Sequence, residues 1–154
     1  MAAARLRPGE LVVDLGAGTG SLTLPLAEAG ARVIAVELHP GRAEQLRRRL
    51  RDHDVVVVER DLGSFRPPGR PFRVVANPPF PQTAAILTML GAARHLIRAD
   101  LVLQTGVVRQ LEAGERRSTR RLAARWVLDL PQDAFVPPPA VATSLVTLRP
   151  SRRR

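Results

Sequence analysis

An apolar pentapeptide, Leu11-Val12-Val13-Asp14-Leu15, runs straight into Gly16-Ala17-Gly18-Thr19-Gly20, and this junction restricts the chain more than any other feature. A short apolar run of this kind reads as a strand buried on both faces, which occurs where helices cover both sides of a parallel sheet. Glycines at alternate positions then let the backbone turn tightly and approach a ligand where a side chain would collide. The dinucleotide fingerprint wants Gly-x-Gly-x-x-Gly. Here the glycines fall at 16, 18 and 20, a spacing suited to a different nucleoside.

The remaining chain repeats the alternation of strand and helix. Further strands are expected at residues 32–38, 55–58, 72–76 and 101–104. Helices are expected over 21–29, 41–51 and 83–95, with one or two more across 107–125. Pro25 is compatible with the first helix only in its first turn. Residues 141–148 alternate like an edge strand. The pattern predicts an α/β domain with a mostly parallel sheet, an antiparallel edge strand and helices on both faces.

At 154 residues the chain has room for one such domain, expected over residues 1–150, with a basic disordered tail at 151–154. There is no cysteine, which excludes disulfides and thiolate metal sites, and no apolar run long enough to span a membrane. The first eight residues have no apolar segment of signal-peptide length, so a cytoplasmic location is expected. All 24 basic residues are arginine, and the net charge is +10. GC-rich coding explains arginine in place of lysine but not the excess of charge. Of the ten charges, seven fall after Asn77, which makes the second half the expected polyanion-facing half.

Three acidic or polar elements follow predicted strands, so all would lie along one sheet edge, where open α/β sheets bind ligands. Glu37 comes 21 residues after Gly16, the spacing of one strand-helix-strand unit, where a carboxylate can accept both ribose hydroxyls of a nucleoside. Asp61, in Arg60-Asp61-Leu62, could accept from an exocyclic amine. Asn77-Pro78-Pro79-Phe80 offers the Asn77 side-chain oxygen and the Pro78 carbonyl as paired acceptors on a stiff backbone, with Phe80 as a stacking face. Two acceptors without a base suit a planar amino group, whose lone pair they help turn toward an electrophilic methyl. No metal cluster is called for, and His39, His53 and His95 read as surface or capping residues.

Together these residues resemble the ribosomal RNA adenine dimethyltransferases, the Erm macrolide-resistance enzymes and their KsgA relatives. The likeness continues through Asp100-Leu101-Val102-Leu103-Gln104 and the narrower Phe135-Val136-Pro137-Pro138-Pro139-Ala140-Val141 segment, so it covers nearly the whole chain. It implies a Rossmann-like methyltransferase fold. It also implies S-adenosylmethionine held by Asp14, Gly16, Ala17, Gly18, Glu37, Leu38, Asp61, Leu62 and Asn77, and a target adenine clamped by Asn77, Pro78, Phe80 and Phe135. The family's Gln-Asn-Phe segment before the glycine loop and its C-terminal helical domain are expected to be absent. Where the family has Ile or Leu after the asparagine this chain has Pro78, as in DNA, rRNA guanine and protein glutamine methyltransferases.

The resemblance therefore implies transfer to the N6 amine of an adenine in rRNA by a monomer, with 23S rRNA and an antibiotic-resistance role expected first. The alternatives are another amino-methyltransferase, of 16S rRNA, DNA or protein glutamine, and a non-catalytic RNA-binding remnant. RNA contact is expected from Arg109, Arg116, Arg117, Arg120 and Arg121, which one helix would place on a common side near the target face.

Overall fold

The computed structural model describes residues 5–151. Residues 152–154 of the expected basic tail, and the first four residues of the expected leaderless start, lie outside them. Seven strands form one sheet in the order β3-β2-β1-β4-β5-β7-β6. They are β1 (Leu11–Leu15), β2 (Arg32–Glu37), β3 (Val55–Glu59), β4 (Phe72–Ala76), β5 (Leu96–Gln104), β6 (Leu122–Leu130) and β7 (Thr143–Pro150). Four helices lie between them, α1 (Thr23–Glu28), α2 (Pro40–Arg49), α3 (Thr83–Ala92) and α4 (Thr105–Glu112). Strands β1 to β5 are parallel, and β7 runs antiparallel to both β5 and β6.

The alternation within β1 shows why the early strands are apolar throughout. Leu11, Val13 and Leu15 pack with Ile86, Leu87 and Leu90 of α3 and Val108 and Leu111 of α4. Val12 packs on the other face with Leu26 of α1 and Val33 of β2, and next to them Ala35 meets Leu46 of α2 and the adjoining Leu50. Helices α1 and α2 thus cover one face, and α3 and α4 the other. Pro25 falls in the first turn of α1.

Three expectations change. Strand β5 begins five residues before the expected start, because its charged residues are paired: Arg98 Nε donates to Asp100 Oδ2 at 2.7 Å, and Thr147 Oγ1 donates to Asp100 Oδ1 at 2.6 Å. The stretch 107–125 is not continuous helix. Helix α4 ends at Glu112, Gly114 turns the chain at φ +70°, Arg117–Thr119 makes one 3-10 turn, and β6 begins at Leu122. Pairing with β7 overrides the helical composition of Leu122-Ala123-Ala124-Arg125. Strand β7 consequently lies one place in from the edge, which β6 occupies.

Helix α3 also touches the turn after α4. A methyl on Gly91 would collide with the backbone carbonyl of Ser118. Alanine should therefore destabilise here, although helix propensity alone favours it by about 1 kcal/mol. We expect Gly91→Ala to cost about 1 to 3 kcal/mol in urea unfolding, the usual range for overpacking. A neutral or stabilising result would mean that the turn does not pack on α3.

Candidate active site

Strands β1, β2, β3 and β4 all end at the same edge of the sheet, here called the carboxyl edge. The glycine loop leaves β1 there with Gly16, Gly18 and Gly20 at φ +75°, +58° and +91°, conformations that glycine adopts without strain. The N–H groups of Gly16 and Ala17 donate to the Val36 carbonyl, each at 2.9 Å. Gly18 donates its N–H to Glu37 Oε2 at 2.8 Å, and His39 donates its N–H to Glu37 Oε1 at 2.8 Å. His39 then accepts the Gly41 N–H on Nδ1 at 3.1 Å and caps α2, the capping role expected of a histidine here. Arg42 Nε lies 3.3 Å from Glu37 Oε1.

Three cavities open along this edge. One of about 290 Å³ is lined by Asp14, Gly16, Ala17, Gly18 and, just before α1, Ser21 and Leu22. A second of about 380 Å³ is lined by Gly16, Gly18, Glu37, Leu38, Asp61 and Leu62. The third, about 200 Å³, is lined by Pro78, Pro79, Phe80, Phe135, Pro137, Pro139 and Thr143. Asn77 belongs to the wall of all three. The residues that sequence pattern and family resemblance assigned to cofactor and to base are thus brought together at one edge, and Asn77 stands where the two groups meet.

The first two cavities have the chemistry of a nucleoside site for a cation. Nothing lies within 4 Å of where a Gly18 Cβ would be, so the loop is open to a ligand at that point. Leu38 is 59 % exposed at the rim, an apolar surface for a ring face. Asp14, Glu37 and Asp61 gather here in a chain of charge +10, with Arg42 the one basic residue in these two walls. These groups fit S-adenosylmethionine, with Glu37 and Asp61 for its nucleoside and Asp14 near its charged end. Asp61 Oδ2 accepts the Gly63 N–H at 3.0 Å, which fixes the turn after β3.

The loop after β4 is held against the glycine loop. A methyl on Gly16 would come within 2.8 Å of Pro79 Cδ and 3.6 Å of the Pro78 Cα. Gly16 is required both for its positive φ and for this contact. Phe80 and Phe135, from distant parts of the chain, share the third cavity and are half-buried.

A match to the family model for ribosomal RNA adenine dimethylase spans residues 1–154. The chain belongs to that family. It is 33% identical over 94% of its length to a mitochondrial ribosomal RNA small subunit methyltransferase of Arabidopsis thaliana, covering 42% of that protein. It is 38% identical over 77% of its length to an rRNA methyltransferase of Streptomyces thermotolerans, covering 40% of it. The crystal structure of the 23S rRNA methyltransferase ErmE superposes with a TM-score of 0.85 at 30% identity, over 97% of this chain and 65% of that one. The chain spans about half the length of the curated relatives it matches.

Within this family fold the arginines expected to bind RNA divide. Arg109 lies in α4 near Asp129, whose carboxyl is held below the usual range first by hydrogen bonds from Ser144 and Trp126, with the Arg109 charge a smaller contribution. Arg116, Arg117, Arg120 and Arg121 lie at the opposite, amino edge, because α4 ends at Glu112 and β6 starts there: Leu122 pairs with Pro150, while Gln104 pairs with Thr143 at the carboxyl edge. They share neither a helix face nor the edge that holds Asn77. Thr143 was missed as a site residue. Its hydroxyl is buried without a partner in the wall of the third cavity, and nothing in a threonine of an alternating strand signals that. Among the described residues no three His, Cys, Asp or Glu side chains could hold a metal, and no helix is long and apolar enough to cross a membrane.

Asp14 is 1 % exposed, accepts Thr23 Oγ1 at 2.7 Å, and has its pKa pushed up to about 7 by burial, aided by the nearby Glu37 charge and opposed by the Thr23 bond. A raised carboxyl pKa stabilises the fold below the ordinary value of about 4, and that contribution disappears as pH rises to about 7. Between pH 5 and 7, wild type should lose about 1 kcal/mol per pH unit relative to Asp14→Asn in urea unfolding. Parallel pH profiles for the two proteins would show that Asp14 is charged throughout.

Proposed function

We propose that this domain transfers the methyl group of S-adenosylmethionine to the exocyclic N6 amine of an adenine in ribosomal RNA, acting as a monomer in the cytoplasm. One observation carries the reading: Asn77 lines both the acidic nucleoside cleft and the pocket of Phe80 and Phe135. A group held in the first meets a base held in the second beside the Asn77 side chain.

When bound, the cofactor supplies an activated methyl on a sulfonium. The protein residues orient what surrounds it. Phe80 and Phe135 take up the base between apolar faces, worth about 1 to 3 kcal/mol of stacking, which offsets much of the cost of unstacking a nucleotide. The Asn77 oxygen and the Pro78 carbonyl accept the two amine hydrogens and so direct the nitrogen lone pair. The two prolines, packed on Gly16, stop these acceptors from moving. A neutral amine needs no base before attack, so orientation and exclusion of water carry the catalysis.

We take 23S rRNA as the first substrate to offer, with an antibiotic-resistance role to match. The likeness to the 23S rRNA methyltransferase ErmE supports it. A 16S substrate is the second reading, favoured by relatives named as small subunit methyltransferases, including one of Cupriavidus taiwanensis at 34% identity over 92% of this chain and 56% of that protein. Labelled S-adenosylmethionine with protein-free 23S and 16S rRNA, followed by nucleoside mass spectrometry, separates them. Methyladenosine in either one supports adenine transfer, and label in neither sinks it.

Two variants separate the halves of the site. Asn77→Ala should lower transfer by about 10²-fold or more, the scale for losing an oriented contact at the reacting atom, while calorimetric affinity for the cofactor stays within a few-fold. Glu37→Gln should weaken cofactor binding by about 10- to 100-fold, the scale of a hydrogen bond to a charged group. Unchanged binding in that second variant would remove Glu37 from the nucleoside site.

A further inference from the structure

At the amino edge, where β1, β2, β4 and β5 begin and β7 ends, a cleft of about 870 Å³ lies between the segment before β1 and the loop before β4. Seven arginines line it against a single glutamate, Glu10. Three are neutralised locally. Arg32 pairs with Asp54 at 2.9 Å, Arg98 with Asp100 at 2.7 Å, and Arg73 lies 3.3 Å from Glu10 and 3.7 Å from Asp100. The other four, Arg5, Arg7, Arg70 and Arg149, are exposed and have no acidic partner among the described residues.

Two further observations point to an anion there. Arg73 is 5 % exposed, lines the cleft, and its Nε–H finds no acceptor. The loop that holds Arg117, Arg120 and Arg121 continues the same edge beyond Arg149, since Ser151 donates its N–H to the Arg121 carbonyl at 2.7 Å and Ala123 pairs with Arg149. These three are likewise exposed and without an acidic partner among the described residues. Seven exposed arginines without an acidic partner among the described residues therefore lie along the edge opposite the candidate site.

We propose that this arginine cleft binds the phosphate backbone of RNA, as a second docking surface about one strand length, roughly 17 to 30 Å, from the target adenine. This rests on the reading of the domain as an RNA methyltransferase. Guanidinium groups in a shallow cleft suit phosphodiester oxygens, and the contact is independent of sequence. Its role is to hold a structured RNA while the carboxyl edge takes the base.

The test is a fluorescence-anisotropy titration of the full chain with a labelled RNA hairpin bearing an unpaired adenine, over a series of salt concentrations. The variant R7Q/R70Q/R149Q is compared with R47Q/R48Q/R51Q, which removes the same charge from α2 and the residues after it. Each phosphate contact contributes about 0.7 to 0.9 to the log-log salt slope, so the cleft variant should lose about 2 to 3 units of slope and the α2 variant less than about one. Methylation of a trinucleotide centred on adenine, too short to reach the cleft, should be equal in the cleft variant and wild type.

Equal slope losses in the two variants, or none in the cleft variant, would overturn the cleft and leave the RNA reading standing. A parallel loss of trinucleotide methylation would also overturn it, because the substitutions would then act through the fold. Absence of hairpin binding by wild type would reject the RNA reading itself, and the cleft with it.

Discussion

The carboxylate of Glu37 is the point on which the site depends. Only 5 % of the residue is exposed, and a charge so buried must be hydrogen-bonded to persist. Its partners are the N–H groups of Gly18 and His39, from the loop after β1 and the chain entering α2. One side chain thus joins two strand ends and a helix start. With the bonds from Gly16 and Ala17 to Val36, it holds the glycine loop in a conformation that leaves the carboxyl edge open. A carboxylate has about four acceptor sites, so two backbone bonds leave capacity for hydroxyl groups of a ligand. The residue that shapes the cleft is therefore also equipped to recognise what fills it.

Charge follows the polarity of the sheet. Buried or half-buried acids cluster where the parallel strands end, around cavities suited to a cationic nucleoside. Unpaired arginines gather where those strands begin. More arginines around the acidic cleft would weaken its attraction for a cation. Separating the two by the length of the strands keeps each field local, since at physiological ionic strength charges more than about 8 Å apart in solvent are largely screened.

The parts of the fold legible in the sequence were those governed by local rules. Strands β1 and β4 fall where expected, at Leu11–Leu15 and Phe72–Ala76, since an apolar run flanked by glycine or proline has few other uses. The family resemblance is carried by the loops at their ends, and the structure brings Asp14, Glu37, Asp61 and Asn77 to one edge because parallel strands must all end on the same side. What escaped depended on partners remote in sequence. The first half of β5 was hidden by Arg98 and Asp100, whose charges are tolerated only because Thr147, nearly fifty residues on, completes their network. Strand β6 was hidden by residues that favour helix, and β7 beside it makes them a strand. The arginine run at 116–121 was assigned to the wrong edge for the same reason: a strand in place of a helix reverses where its preceding loop must lie.

The cavities also limit the mechanism. Their walls contain Asp14, Glu37, Asp61 and Arg42 as the titratable groups, and His39 is committed to capping α2. None of these groups lines the pocket of Phe80 and Phe135. In the proposed transfer, position must then supply most of the acceleration, and a misplacement of about 1 Å can cost about 10²-fold. Asn77 sits on a loop, ordinarily the least rigid place for such a task, but Pro78 and Pro79 fix its backbone and Pro79 rests against a glycine that has no side chain to push it away. The contact between Pro79 and Gly16 therefore ties the loop that carries Asn77 to the glycine loop that lines the two acidic cavities. Under the proposed function a substitution at Gly16 would disturb cofactor binding and transfer together, since it strains the loop at φ +75° and displaces Pro79 beside Asn77.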